Sequence, residues 1–331
     1  MVTLQEMIRR LNEYWSSQGC TILSGYDLEV GAGTSHPATA LKCLGPEAWN
    51  VAFVQPSRRP ADGRYLRNPM RNQRYFQYQV LMKPSPIDIV DRYMGSLDHL
   101  GFDTAKNDVR LVEDDWENPS LGAAGVGWEV WLNGTEISQF TYFQQMGGIE
   151  CSPVCAEITY GPERLCLMLN DQTSIWKDLR WSEHFTYLES EGQLEMQHNV
   201  YNFEVASTEM LFKLFDMYEA ESKRVIETPV YWDEENERMT SVRLEEQGKG
   251  RKEEGKIGES SDPSPVTRHP SLHLVYPAFD LALKCSHAFN LLDARGVVGV
   301  TERATYINRI RARVRACCLR YVEQFKEPAK V

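Results

Sequence analysis

The dipeptide Asn133-Gly134 lies between two runs of strand-forming residues, 128–132 and 137–143. Asn-Gly tolerates the left-handed backbone of a two-residue hairpin, so these runs are expected to pair antiparallel. A second pair of runs, 50–57 and 75–83, brackets a polar segment rich in Gly, Pro and Arg and reads as a longer hairpin with a charged loop. Short strands are also expected at 20–23, 109–113 and 157–160, with 113–119 as an acidic turn holding Trp116. Helical spacing is present over 4–18, 87–100, 162–169, 204–227, 277–292 and 301–325. Hairpin-paired strands flanked by helices make an antiparallel sheet of the α+β class rather than a doubly wound one.

Residues 1–200 are expected to form the core and 201–227 a helix leading out of it. Residues 275–331 follow as a C-terminal helical domain. The segment 228–274 differs in composition. Between Asp233 and Asp262 it has ten acidic and six basic residues and few aliphatic ones, so it is expected to be disordered or loosely held. The 331 residues carry a net charge of −11, a poor balance for bulk nucleic-acid binding, which phosphate contacts drive. If RNA is a substrate, its grip is expected on another chain or on one local basic patch. The eight cysteines show no paired CxxC spacing and read as reduced, mostly buried thiols. No apolar run is long enough for a membrane span, and the N-terminus lacks a signal core, which suggests a cytoplasmic protein.

Two arginine clusters carry the chemistry. One runs from Ser57-Arg58-Arg59-Pro60 through Arg64 to Arg71-Asn72-Gln73-Arg74-Tyr75-Phe76-Gln77-Tyr78. The other is Glu157-Ile158-Thr159-Tyr160-Gly161-Pro162-Glu163-Arg164. Guanidiniums stay charged at any working pH and fork onto phosphate oxygens, so fixed arginines on rigid strands suit a bent triphosphate. Glu29-Val30-Gly31-Ala32-Gly33-Thr34-Ser35 is neither GxGxxG nor a Walker loop. It reads either as a tight turn or as a backbone wall against a small substrate, with Thr34 as a donor.

The blocks Glu29–Thr34, Gln55–Pro60, Trp116–Pro119, Trp128–Trp131, Gln139–Gln145, Glu157–Gly161 and Phe289–Arg295, in this order, resemble the class II aminoacyl-tRNA synthetases. Within that class they resemble the α subunit of the bacterial-type heterotetrameric glycyl-tRNA synthetase. The resemblance spans residues 4 to about 223 and again 276–325. It implies a six-stranded antiparallel catalytic sheet, bent ATP and Mg²⁺. It also implies an α2β2 assembly built on an α–α dimer, with tRNA(Gly) held mostly by the β subunit, and glycyl-adenylate formation followed by transfer to tRNA.

The resemblance also suggests roles. An arginine at the end of the first motif-2 strand meets the α-phosphate, which points to Arg59, with Arg58 as the competing register. The return strand carries an arginine followed four residues later by an aromatic, a pattern that Arg71 with Tyr75 and Arg74 with Tyr78 both satisfy. Alternation places Arg74, Phe76 and Tyr78 on one face, so Arg74 is expected at the γ-phosphate, with Tyr78 or Phe76 stacked on adenine. Arg164 matches the motif-3 arginine, although Pro162 stands where the family is glycine-rich. Glu163 beside it reads as a cap or surface acid. Glu136 and Glu129 are the candidate Mg²⁺ carboxylates. Glu157 is expected to hold the substrate ammonium, with Thr34, Trp116, Gln139 and Thr141 around it. The last helix, with Arg309, Arg313 and Arg320 on one face, is expected to touch tRNA or the partner chain.

Overall fold

The computed structural model describes residues 1–233, 238–241 and 272–325. Helix α1 (Leu4–Ser17) starts at Thr3, whose Oγ1 accepts the Glu6 N–H. Its buried stripe is Leu4, Met7, Leu11 and Trp15, the spacing of one helical face. The two-residue strand β1 (Thr21–Ile22) follows, then the short helix α2 (Pro37–Ala40) and the hairpin of β2 (Trp49–Arg58) and β3 (Arg74–Lys83). Helix α3 (Ile89–Leu100) ends at Gly101, whose φ of 108° only glycine adopts without strain. Strands β4 (Val109–Asn118), β5 (Ala123–Leu132), β6 (Thr135–Met146) and β7 (Ile149–Tyr160) lead into α4 (Pro162–Leu169). At the β5–β6 turn both Asn133 and Gly134 have positive φ, as the sequence requires.

The sheet order is β1-β2-β3-β7-β6-β5-β4. Six strands pair antiparallel, as expected, and β1 adds a seventh at the edge, parallel to β2. Strand β4 runs through the acidic stretch expected to be a turn, so Trp116 is a strand residue opposite Gly125. Strand β7 likewise starts at Ile149, well before the expected Glu157. The chain before the helix expected from residue 204 is helical as well: α5 (Gln193–Val200) lies between two π-helical turns, Leu188–Gly192 and Tyr201–Val205. Helix α6 (Thr208–Glu227) then starts on a Ser207 cap.

The ends of the segment expected to be loose are strands instead. β8 (Pro229–Asp233), β9 (Arg238–Thr240) and β10 (Leu272–His273) form a small antiparallel sheet. Residues 234–237 and 242–271 of that segment lie outside the described residues.

Both faces of the main sheet are covered. On one, α1, α3 and α4 pack Trp15, Tyr93 and Leu165 against Tyr78, Phe140 and Tyr160. On the other, α6 joins the C-terminal helices α7 (Val275–Ala294) and α8 (Val300–Glu323). There Phe215, Phe279 and Val314 share a core with Phe53, Leu81 and Phe143. The C-terminal pair is therefore built onto the sheet. Its arginines explain how. Arg309 forms ion pairs with Asp216 and Glu219 of α6, Arg311 Nε donates to the Pro119 carbonyl at 2.6 Å, and Arg315 Nη1 donates to the Gly147 and Gly148 carbonyls. Arg309, expected to face RNA or a partner, is instead an intrachain clamp, and Arg320 is paired with Glu323. All eight cysteines are buried free thiols, as expected.

One buried charge locks the loop after α2. Lys83 is 1% exposed, and its Nζ donates to the carbonyls of Lys42, Leu44 and Gly45 at 2.6, 2.8 and 3.0 Å. Lys83→Met keeps the stem but strands three acceptors. A buried acceptor left unsatisfied costs ~1–3 kcal/mol, so the urea midpoint is expected to fall by roughly 2–4 kcal/mol equivalent. An unchanged midpoint would show that water replaces the ammonium freely.

Candidate active site

A cavity of about 260 Å³ opens at the end of the sheet where β3, β6 and β7 meet α4. Arg59, Arg71 and Arg164 line it together with Tyr75, Phe76, Gln139 and Glu136. Arg59 is the first residue beyond β2 and is exposed. Its Nε donates to the Gly31 carbonyl at 3.1 Å, and its guanidinium lies 5.3 Å from the Tyr75 ring centre. Arg58 ends β2 directly opposite Arg74 and does not line the cavity, because successive strand residues face opposite ways.

The same alternation corrects the return strand. Arg74 and Tyr78 belong to the face that packs toward α1 and α4. Arg74 is ion-paired with Glu191, and the buried Tyr78 hydroxyl donates to Asn12 Oδ1 at 3.0 Å. Neither lines the cavity. Arg71 and Tyr75, the other register of the pattern, both do, and Arg71 Nη1 lies 3.3 Å from Asp62. Phe76 reaches the cavity because it stands at the start of the strand, where its N–H donates to Glu163 at 2.8 Å.

Arg164 sits in the first turn of α4, after Gly161 and Pro162, where a proline fits the helix start. Its Nη1 lies 3.1 Å from Glu136 Oε2 and donates to the Glu136 carbonyl at 3.0 Å. Glu163 is buried rather than at the surface. It accepts from Phe76 N and the Tyr187 hydroxyl, and burial pushes its carboxyl up to about 7. Of the two metal candidates, only Glu136 lines the cavity. Glu129 accepts from Trp131 Nε1 at 3.0 Å. Mg²⁺ needs only one or two carboxylates when phosphates and water complete its shell, so a partly exposed carboxylate on the cavity wall fits the ion in the company of a triphosphate. Among the described residues no group of three or more His, Cys, Asp or Glu could hold a metal by itself.

Two residues along β7 from Thr159, which lines the cavity, Glu157 lies 3% exposed toward the end of the strand. Burial pushes its carboxyl up to about 8, against the opposing pull of its two donors. Thr34 Oγ1 donates to it at 2.7 Å, and Gln79 Nε2 donates from β3. Gln79 Oε1 in turn accepts from Thr159 Oγ1, and Gln77 Oε1 accepts from Gly33 N and Ser57 Oγ. The glycine-rich loop is thus pinned to β3 by Gln77. A Cβ on Gly33 would come 2.5 Å from Gln79 Oε1, so glycine is needed there for close approach. Thr141 stands opposite Glu157 on β6, and its buried hydroxyl has no hydrogen-bond partner among the described residues. Gln139 donates to Asp114 at 2.7 Å and borders the cavity. Trp116 is half-buried against Phe143, with ring centres 5.4 Å apart, and lies outside the cavity wall.

Sequence reasoning missed Tyr75 as the cavity-facing aromatic, the glutamines 77 and 79, and the buried state of Glu163. Alternation along β3 could have found the first three, since Tyr75, Gln77 and Gln79 share a face with Ser57 and Gln55. Nothing local to Glu163 distinguishes it from a helix-start surface acid.

A family model described as "Glycyl-tRNA synthetase alpha subunit" matches residues 4–240 and 263–326. Among solved structures, "Structure of Desulfitobacterium hafniense PylSc, a pyrrolysyl tRNA synthetase" is similar at 11% identity and TM-score 0.37, over 56% of this chain and 74% of that one. "Crystal structure of Pyrrolysyl-tRNA synthetase from Desulfitobacterium hafniense" is similar at 11% identity and TM-score 0.37, over 55% and 76%.

Proposed function

The chain belongs to the glycyl-tRNA synthetase alpha-subunit family, which makes it a ligase that aminoacylates tRNA, and we propose that it activates glycine with ATP and passes the glycyl group to tRNA(Gly). The observation that carries this reading is the juxtaposition of three cavity-facing guanidiniums with a buried carboxylate two residues along β7 from the cavity wall. A triphosphate fits the first and an α-ammonium the second.

In this reading ATP lies bent in the cavity, with Arg59 at the α-phosphate and Arg71 and Arg164 toward the γ-phosphate. Tyr75 and Phe76 offer aromatic faces to adenine. Glu136 is the carboxylate that would hold Mg²⁺, which when bound screens the phosphate charge. Glu157 receives the glycine ammonium, and Thr34 and Gln79 hold that carboxylate in place. The glycine carboxylate attacks the α-phosphorus in line, pyrophosphate leaves, and Arg59 stabilises the charge that builds on the phosphoryl oxygens. No covalent enzyme intermediate is required, so positioning and electrostatics carry the rate. Burying one extra methyl gains only ~0.8 kcal/mol, so glycine is selected by exclusion. The close fit of Gly33 against Gln79 beside Glu157 supplies that crowding.

The family also implies the assembly, an α2β2 tetramer whose β chains hold most of the tRNA, in the cytoplasm. Among the described residues no helix is long and apolar enough to cross a membrane. The test is amino-acid-dependent pyrophosphate–ATP exchange by the purified chain with and without its β partner. Exchange stimulated by glycine and not by alanine is expected. Stimulation by alanine alone would sink the substrate assignment, and no exchange even with β would mark a catalytically silent relative.

A further inference from the structure

The connection between β2 and β3 carries Arg59 and Arg71, two of the cavity-facing guanidiniums, and its backbone is held from outside. At its neck Arg59 N donates to the Gln73 carbonyl at 2.7 Å. Gln73 N in turn donates to both carboxylate oxygens of Glu195, at 2.9 and 3.1 Å. Glu195 stands on α5, 2% exposed, and its Oε1 also accepts from Asn199 Nδ2 at 2.8 Å. Asn199, fully buried one turn further along α5, accepts from Tyr65 N at 3.0 Å through its Oδ1. Tyr65 and Leu66 have φ of 50° and 60°, a left-handed turn that such side chains adopt only where something holds it. Farther round, Trp176 Nε1 donates to the Asn68 carbonyl at 3.1 Å and Ile175 N to that of Pro69 at 2.9 Å. Burial pushes the Glu195 carboxyl up, and among the described residues no cation is paired with it. A buried carboxylate without a cation is costly to a fold, so stability alone gives no reason for it. A fixed acceptor for two N–H donors gives a geometric one.

Resting on the function proposed above, we infer that Glu195 and Asn199 of α5 are positioning residues for the nucleotide-binding arginines, with Glu195 acting through Gln73 on Arg59. Neither residue lines the nucleotide cavity, so their effect on its chemistry is relayed. The relay is short: the carboxylate holds the Gln73 N–H, the Gln73 carbonyl holds the Arg59 N–H, and Arg59 bears the guanidinium. That guanidinium makes one side-chain hydrogen bond among the described residues, to the Gly31 carbonyl. The placement of its own backbone therefore decides where it stands. A shift of about 1 Å at a reacting centre costs up to ~100-fold in rate. Asn199 sets the far side of the same loop through Tyr65 and steadies Glu195 through its amide. On this assignment α5 is the template on which the arginine loop is formed before ATP arrives.

The test is a double-mutant cycle on glycine-dependent pyrophosphate–ATP exchange, run with the β partner present and below the lowest melting temperature of the set. Glu195→Asp keeps the charge and draws the acceptor back from Gln73 by one bond. Glu195→Gln loses the charge and keeps the reach, because Oε1 alone serves both donors. Exchange is expected to fall about tenfold in Glu195→Asp, in kcat rather than in the KM for glycine, and to stay within about threefold of wild type in Glu195→Gln. Made in an Arg59→Ala enzyme, Glu195→Asp is expected to change exchange by less than about twofold, since the group it positions is gone. A merely structural residue would lower exchange equally in both backgrounds, and that result overturns the inference. So does a folded Glu195→Asp enzyme with unchanged exchange, or a Glu195→Gln enzyme worse than Glu195→Asp. Should Glu195→Asp not fold, Asn199→Ala takes its place under the same criterion: exchange lost beside Arg59 and not lost without it. No glycine-dependent exchange in the wild-type complex would instead bring down the proposed function, which separates the two failures.

Discussion

Arg59→Ala is expected to lower the glycine-dependent exchange rate by 100-fold or more while leaving the melting temperature nearly unchanged. The structural cost is small because Arg59 lies beyond the last pair of the β2–β3 hairpin and is exposed. Its side chain makes one hydrogen bond among the described residues, to the Gly31 carbonyl, which also accepts from the Tyr75 hydroxyl. The catalytic cost is large because a preorganised donor at developing charge contributes ~3–4 kcal/mol, and the deficit appears in kcat more than in the KM for ATP. Arg59→Lys keeps the charge but loses the fork, so partial recovery of about tenfold is expected. Arg58→Ala is the control: Arg58 lies off the cavity, so its loss should move stability before it moves exchange. An Arg59→Ala enzyme within twofold of wild type would remove Arg59 from the α-phosphate.

Much of this architecture was legible in the chain because it rests on local chemistry. Asn133-Gly134 set a hairpin, and Gly101 ended a helix. What remained illegible depended on partners far away in sequence. The acidic run from Glu113 to Asn118 reads as a turn by composition, yet it pairs along its whole length with β5, a strand that follows it in sequence. Arg309, Arg313 and Arg320 of α8 read as a face for tRNA or the partner chain, and only the fold shows Arg309 paired with Asp216 and Glu219 of α6. Within the site, the choice between Arg71 with Tyr75 and Arg74 with Tyr78 was a question of strand parity. One residue of register moves every side chain to the other face. Parity was fixed by the hydrophobic partners: Phe76, Tyr78, Val80 and Met82 face the core under α1, α3 and α4, which leaves Tyr75, Gln77 and Gln79 for the substrate side. Glu163 became a buried group only through Tyr187 and the Phe76 N–H, distant in sequence from its own helix turn.

The second large effect is expected at Glu157, where substitution and pH report on the same group. Its carboxyl, pushed up to about 8 by burial, is mostly protonated at pH 7 in the empty site, whereas a glycine ammonium needs it ionised. Binding glycine therefore expels a proton, and the KM for glycine is expected to fall close to tenfold between pH 6 and 7, one pH unit being worth about 1.4 kcal/mol for a group that must ionise. The fall should level off above pH 8. Glu157→Gln keeps the shape and the bonds to Thr34 and Gln79 but cannot ionise. It should raise the KM for glycine by 30-fold or more at pH 8, through loss of a charge-assisted bond of ~2–3 kcal/mol, and flatten the pH dependence. The same variant has an opposite signature in stability. A carboxyl whose folded pKa lies above its ordinary value binds a proton on folding, so its contribution is fully present below about pH 4.5 and is lost as pH rises through about 8. Glu157→Gln should remove that slope, leaving a protein less sensitive to alkaline pH even as it loses its grip on glycine. Glu163, pushed up to about 7, titrates nearby, but it holds Phe76 at the nucleotide end, so its imprint belongs in the KM for ATP. A KM for glycine that is flat with pH and indifferent to Glu157→Gln would mean that the ammonium is held elsewhere, with the orphaned Thr141 hydroxyl beside Glu157 the next group to test.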